Sequence, residues 1–189
     1  MPTRTFLALP LEEGIVNKLV KAQHVLMDAG AKVRWVEREN LHMTVKFLGY
    51  VQDKHLNDVC QAAREVAQAV DPFDFTVRGI SAVPPTGQLR MVWVGIDDPS
   101  GAMAKLNEAA EKVFAGLGFK QENRQFRPHL TLGRVKGGLN VDKLRAAAAE
   151  FAEEDFGIQG ADELIVFSSQ LTREGPEYQP LATIGLGSE

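Results

Sequence analysis

The stretches "NLHMTVKFLG" (Asn40–Gly49) and "FRPHLTLGR" (Phe126–Arg134) constrain this chain more than any other part of it. Each is an apolar run interrupted by a histidine and, two residues on, a threonine. Side chains of an extended strand alternate between its two faces. His42, Thr44 and Lys46 therefore share one face, with Met43, Val45 and Phe47 on the other. In the second stretch Arg127, His129, Thr131 and Gly133 lie opposite Leu130 and Leu132. Both strands thus offer an apolar side to a core and a polar side on which an imidazole neighbours a hydroxyl. One such strand is an ordinary polar pair at a sheet edge. Two in one chain ask for a fold that gives both polar faces a use, because a sheet gains nothing from hiding two titratable rings.

The segments around them supply such a fold. "RTFLALPL" reads as a strand, followed by a helix with Ile15, Leu19, Ala22 and Leu26 on one side that Gly30 ends. "KVRWV" is a short strand before the first motif. After it, Leu56, Val59, Cys60, Ala63, Val66 and Ala67 recur at helical spacing, with Asp53 as N-cap. "FDFTVRGI" and "RMVWVGI" are strands on either side of the "VPPTGQ" turn. A helix carrying Met103, Leu106, Ala110, Val113 and Leu117 precedes the second motif, and another from Val141 to about Phe151 follows it. "DELIVFSSQL" and "YQPLATIGL" form a closing hairpin around "REGP". Several strand pairs lack the crossover helix that a parallel sheet needs. The expected class is α+β, with antiparallel or mixed sheets and helices on their outer faces. Each H-x-T strand is followed by a helix and an aromatic-bearing extended stretch ("FDFTV", "EDFGI"). That echo predicts two related, interleaved lobes within one domain spanning residues 1–189.

The remaining composition narrows the chemistry. With 44% hydrophobic and 24% charged residues the chain is of soluble globular type. A net charge of −4 argues against a nucleic-acid coat but leaves room for a basic cleft. Cys60, the single cysteine, excludes an internal disulfide and a thiolate metal cage, and reads as a small buried hydrophobe. No apolar run is long enough for a signal peptide or a membrane span, so a cytoplasmic protein is expected. The four histidines show no metal-binding spacing, and neither metal nor cofactor is expected. A G-x-S-x-G elbow and a phosphate-binding P-loop are both missing. His24 and His55 lack a threonine two residues on and read as surface or partly packed histidines.

Two imidazoles with two hydroxyls suit in-line displacement at phosphorus. One ring takes a proton from the entering oxygen and the other gives one to the leaving oxygen. Threonine hydroxyls donate to the non-bridging oxygens between them. Residues alone do not say which ring is the acid.

The pair "HMTV" and "HLTL", within the flanks "RTFLALPL", "NLHMTVKFLG", "FRPHLTLGR" and "SSQLTREGPEYQPL", resembles the 2H phosphoesterase superfamily, in its bacterial and archaeal 2′-5′ RNA ligase branch. The similarity runs from about Arg4 to about Leu181. It implies a two-lobed pseudo-twofold fold around a cleft, and metal-free hydrolysis of RNA 2′,3′-cyclic phosphate ends to 2′-phosphates, with reversible 2′-5′ ligation as a secondary activity. By that resemblance His42 is the proton donor, His129 the proton acceptor, and Thr44 and Thr131 hold the phosphate. The same resemblance has Phe6 stack on the terminal base and carries the family's arginine onto Arg134. The basic side chains near the motifs, Lys46, Arg127 and Arg134, are expected to form a positive patch for the RNA, with ordinary solvated charge as the plainer reading. Strict alternation puts Arg134 opposite His129, so its entry into the cleft requires a bulge or a strand-end twist. The expected partner is RNA with cyclic phosphate ends, tRNA halves among the candidates, acted on by a monomer that does not engage membranes. Two alternatives stand beside this reading: a non-catalytic binder of nucleotides or RNA ends, and a phosphodiesterase for a small cyclic phosphate.

Overall fold

The computed structural model describes residues 1–187 and divides the chain between two antiparallel sheets. The strands are β1 (Thr3–Leu9), β2 (Val33–Trp35), β3 (Met43–Val51), β4 (Phe73–Val83), β5 (Met91–Asp97), β6 (His129–Val135), β7 (Asp155–Ala161), β8 (Glu163–Leu171) and β9 (Pro176–Gly185). The helices are α1 (Glu13–Met27), α2 (Leu56–Gln68), α3 (Ala102–Gly116) and α4 (Val141–Ala149). One sheet runs β3-β1-β8-β9 and the other β2-β6-β5-β4-β7. The α+β architecture read from the missing crossovers is the observed one.

The two strand orders correspond, β3-β1-β8-β9 with β6-β5-β4-β7, and β2 adds an edge beside β6. The chain after β3 and α2 crosses to the other sheet as β4, and the chain after α4 and β7 returns to the first sheet as β8. The sequence echo between "FDFTV" and "EDFGI" misleads in one respect. Those stretches are β4 and β7, neighbours in a single sheet, and the position equivalent to β4 belongs to β8. Local pattern carries strand character but not the sheet a strand joins.

Helical stripes bury as their spacing predicts. Leu19 and Leu26 of α1, Val59 and Val66 of α2, Leu106 and Phe114 of α3, and Leu144 of α4 are all inaccessible to solvent. Three local expectations fail. Asp53 does not cap α2, because a 3-10 turn over Asp53–His55 precedes that helix; its carboxylate instead takes the Met1 ammonium at 2.9 Å. Leu117 lies past the end of α3, half exposed, while Phe114 fills the core in its place. Cys60 is only partly covered rather than enclosed. Among the described residues no helix is long and apolar enough to cross a membrane.

Both H-x-T strands break their alternation at the same motif position. Ala8 pairs with Thr44 and Leu7 with Lys46, which leaves Val45 as an extra residue. Trp93 pairs with Thr131 and Val92 with Gly133, which leaves Leu132 extra. An extra residue re-aims every side chain beyond it. Each bulge is held by an amide from the helix of the other half of the chain. Asn107 of α3 donates to the Val45 carbonyl at 2.9 Å, and buried Gln23 of α1 donates to the Leu132 carbonyl at 3.0 Å. Gly133 has no alternative here, since a Cβ would lie 2.6 Å from Val33 Cγ1 and 2.9 Å from Trp35 Cε3.

Candidate active site

The polar faces of β3 and β6 line one cleft of about 1180 Å³, and His42, Thr44, His129 and Thr131 all belong to its wall. The two histidines are held alike. His42 Nδ1 lies 2.5 Å from the Asn40 carbonyl oxygen, and His129 Nδ1 lies 2.7 Å from that of Arg127. A carbonyl only accepts, so each Nδ1 carries the hydrogen and donates it, which leaves each Nε2 for chemistry. His42 Nε2 sits 2.9 Å from the Thr44 hydroxyl. Asn40 is itself anchored to the closing hairpin, its amide donating to the Pro176 carbonyl at 2.8 Å.

Each imidazole rests on an aromatic ring. Phe6 stacks on His42 at 4.9 Å between centroids, and Trp93 lies 3.9 Å from His129. Around His42 the rings of Phe47, Phe167 and Tyr178 complete a cluster centred on Phe6. This burial pushes the His42 pKa down to about 4, against the opposing pull of the Asn40 carbonyl. His129, half-buried, is also lowered: burial leads, the Arg127 carbonyl opposes it, and the Arg134 guanidinium adds to it.

The bulges decide which flanking residues reach the cleft. Beyond the extra Leu132, Arg134 turns onto the His129 side and lines the cleft, its guanidinium 3.3 Å from Met91 Sδ. Phe47, assigned by alternation to the core face, is instead half exposed in the cleft against Phe6. Lys46 goes the other way. Its side chain is buried, with Nζ 2.9 Å from Glu111 and donating to the Lys120 carbonyl at 3.2 Å. It therefore ties β3 to α3 and the segment before β6 and is not a free cation for RNA. Removing one partner of a buried ion pair strands the other. Lys46→Met is expected to cost ~3 kcal/mol of stability in denaturant unfolding, with much of it recovered in Lys46→Met/Glu111→Leu. A loss under ~1 kcal/mol would show that the pair does no such tying.

Phe6 also departs from its expected role. It is 2% exposed and lies under His42, so it offers no face to a base and instead positions the ring above it. Arg127 is exposed at the cleft wall as expected. Sequence pattern alone passed over Trp93, Tyr178, Arg4 and Arg34, all of which line the cleft. Trp93 had a detectable signal, since it lies in the strand "RMVWVGI" that pairs with the second motif. His24 and His55 lie on the surface.

The family model described as LigT-like phosphoesterase matches residues 9–93 and 95–178, each stretch holding one motif. An RNA 2′,3′-cyclic phosphodiesterase of Methanothermobacter thermautotrophicus is 35% identical over 98% of this chain and 100% of its own length. Another from Methanocaldococcus jannaschii is 32% identical over 93% of this chain and 96% of its own. Among solved structures, a Thermus thermophilus protein matches with a TM-score of 0.81 at 24% identity, over 98% of this chain and 100% of that one. Escherichia coli LigT in complex with 3′-AMP matches with a TM-score of 0.81 at 23% identity, over 100% of both chains. The chain belongs to the LigT-like phosphoesterase family.

Proposed function

We propose that this LigT-like phosphoesterase hydrolyses RNA 2′,3′-cyclic phosphate ends to 2′-phosphates, with His42, Thr44, His129 and Thr131 as its catalytic groups and no metal ion. One observation carries the reading: two imidazoles in one cleft, each with Nδ1 tied to a backbone carbonyl and Nε2 left for the reaction. His129 Nε2 takes a proton from water as the water oxygen bonds to phosphorus. The P–O3′ bond breaks as His42 Nε2 gives its proton to O3′, and the phosphate stays on O2′. Thr44 and Thr131 donate to the non-bridging oxygens. Burial, with the Arg134 guanidinium adding to it, keeps His129 neutral, the form from which a base acts. With an RNA 5′-hydroxyl in place of water as the nucleophile, the same displacement forms a 2′-5′ bond, a reaction that loses to hydrolysis in bulk water.

The relatives named RNA 2′,3′-cyclic phosphodiesterase support RNA as the substrate. Arg127 and Arg134 on the cleft wall suit its backbone. The reading takes residues 1–189 as one domain of two related lobes, acting as a cytoplasmic monomer on ends such as those of cleaved tRNA. Incubation with a 2′,3′-cyclic nucleotide in EDTA tests it. The expected result is turnover to the 2′-phosphate, whereas a binder only raises its melting temperature. Activity abolished by the chelator and restored by a divalent ion would overturn it.

The acidity of the free imidazoles gives a pH signature. Turnover needs one ring protonated and the other neutral, and both titrate below 6.5 in the unliganded cleft, His42 at about 4. The profile of kcat/KM follows the free protein and is expected to peak below pH 6.5, falling as the last imidazolium proton is lost. An anionic diester between the rings favours their charged form, so the alkaline limb of kcat is expected at higher pH. A kcat/KM still rising above about pH 7 would contradict this.

A further inference from the structure

We propose that Arg4, Arg34 and Tyr178, together with Arg134, form a second anion site in the cleft, which takes the phosphate on the 5′ side of the terminal nucleoside. The inference rests on the cleft being a cyclic-phosphate site. Left empty, such a cluster is costly. Arg34 and Arg134 are direct cross-strand partners on antiparallel β2 and β6, where like charges repel. Among the described residues none of Arg4, Arg34 and Arg134 has a carboxylate within 4.0 Å, although the chain has a net charge of −4 and pairs Arg38, Lys46 and Arg78 with glutamates. Uncompensated cations held together call for an anion that is not part of the protein.

These groups also converge from opposite walls. On the facing sheet Arg4 pairs with Ser169 and Ser169 with Tyr178, so the three occupy one rung across β1, β8 and β9, and all three line the cleft. The Tyr178 phenol, raised by burial, is pulled back by Arg4, Arg134 and Arg34, so cations of both sheets act on it across the cleft they share. Guanidinium forks and hydroxyl donors match a phosphate better than a lone carboxylate.

The spacing along the strands fits one nucleoside. Ala8 lies opposite Thr44, and Arg4 is four residues further along β1; Arg134 is three residues beyond Thr131. Because Leu132 is the extra residue, Arg134 stands only two rungs from Thr131, so at ~3.3 Å per residue the site begins ~7–13 Å from the threonine rungs. A nucleoside and the reach of an arginine side chain cover that gap. A terminal nucleoside with its cyclic phosphate between the histidines has one other anionic group, the phosphate at O5′ that joins it to the RNA. An RNA end supplies that phosphate, and a bare nucleoside cyclic phosphate does not.

The test compares adenosine 2′,3′-cyclic phosphate with the same compound bearing a 5′-phosphate. The expected kcat/KM is about tenfold or more higher for the 5′-phosphorylated compound. That ratio is expected to fall toward one in Arg34→Ala and in Arg4→Ala, both exposed positions, and to be only partly kept in Arg34→Lys, whose ammonium lacks the fork. A ratio near one in the parent protein, or one unchanged by the variants, would overturn the second site. If neither compound turned over, the catalytic reading would fall, and calorimetry would decide the anion site alone. Adenosine 2′,5′-bisphosphate binding about tenfold tighter than adenosine 2′-phosphate, with the gain lost in Arg34→Ala, would support it. Equal affinities would overturn it.

Discussion

Replacing His129 by alanine is expected to lower kcat/KM on a 2′,3′-cyclic nucleotide by ~10²–10⁴-fold, and replacing His42 to cost a similar factor. The size follows from what each ring supplies. Its Nδ1 is committed to a backbone carbonyl, so a water molecule taking its place has neither the fixed orientation nor an imidazole's affinity for a proton. The two losses are not expected to multiply. Proton removal at one side of phosphorus and delivery at the other belong to one displacement, so the double variant loses less than the product of the single factors. Unfolding measurements guard the conclusion at His42, whose ring is stacked on Phe6 and edge-on to Tyr178, so that its removal also costs packing. His129 is half-buried, and its replacement uncovers one face of Trp93 without opening the core. Losses below about tenfold for both rings in folded protein would end the two-histidine mechanism.

That His42, Thr44, His129 and Thr131 share one cleft was legible in the sequence because the signal is chemical and repeated: an imidazole and a hydroxyl two residues apart on a strand fall on one face wherever that strand goes. What lay beyond the threonines was not legible. Period-two reading sent Arg134 away from the cleft and Phe47 into the core, and one extra residue in each strand reversed both. The bulges depend on Asn107 and Gln23, each distant in sequence from the carbonyl it holds. Lys46 shows a different limit. Alternation placed it on the His42 face, the Val45 bulge turned it away, and only the packing of α3 decides that Glu111 takes its charge. Phe6 lies on the expected strand, but the ring that covers it comes from the approach to β3 and the ring edge beside it from β9. Arg4 and Arg34 carry no motif, and their meaning arises only when two sheets face each other. Residues whose role is set by their own strand could be found; those whose role is set by an opposing element could not.

A substrate with an activated leaving group is expected to separate the two histidines. In a nitrophenyl phosphodiester the leaving oxygen is stable as an anion and departs without a proton, so a general acid adds little. His42→Ala is therefore expected to recover most of its loss on that substrate, while His129→Ala stays impaired, because water still has to be deprotonated as it attacks. In the unliganded cleft the asymmetry runs the other way, since burial lowers both rings and lowers His42, the proposed acid, further, to about 4. Burial, with the Arg134 guanidinium adding to it, keeps His129 neutral and ready to accept a proton. His42 has a low affinity for its proton, at about 4 when the cleft is empty, and it is burial that lowers it. An anionic phosphate brought against a desolvated ring offsets that penalty strongly, since charges interact more strongly away from water. His42 would then be charged mainly when substrate is bound and would release its proton readily to O3′. Rescue of His129→Ala by the nitrophenyl ester, with His42→Ala left impaired, would exchange the two roles. A 3′-phosphate product from the RNA-like substrate would instead mean that the nucleotide lies in the cleft with O2′ toward the acid.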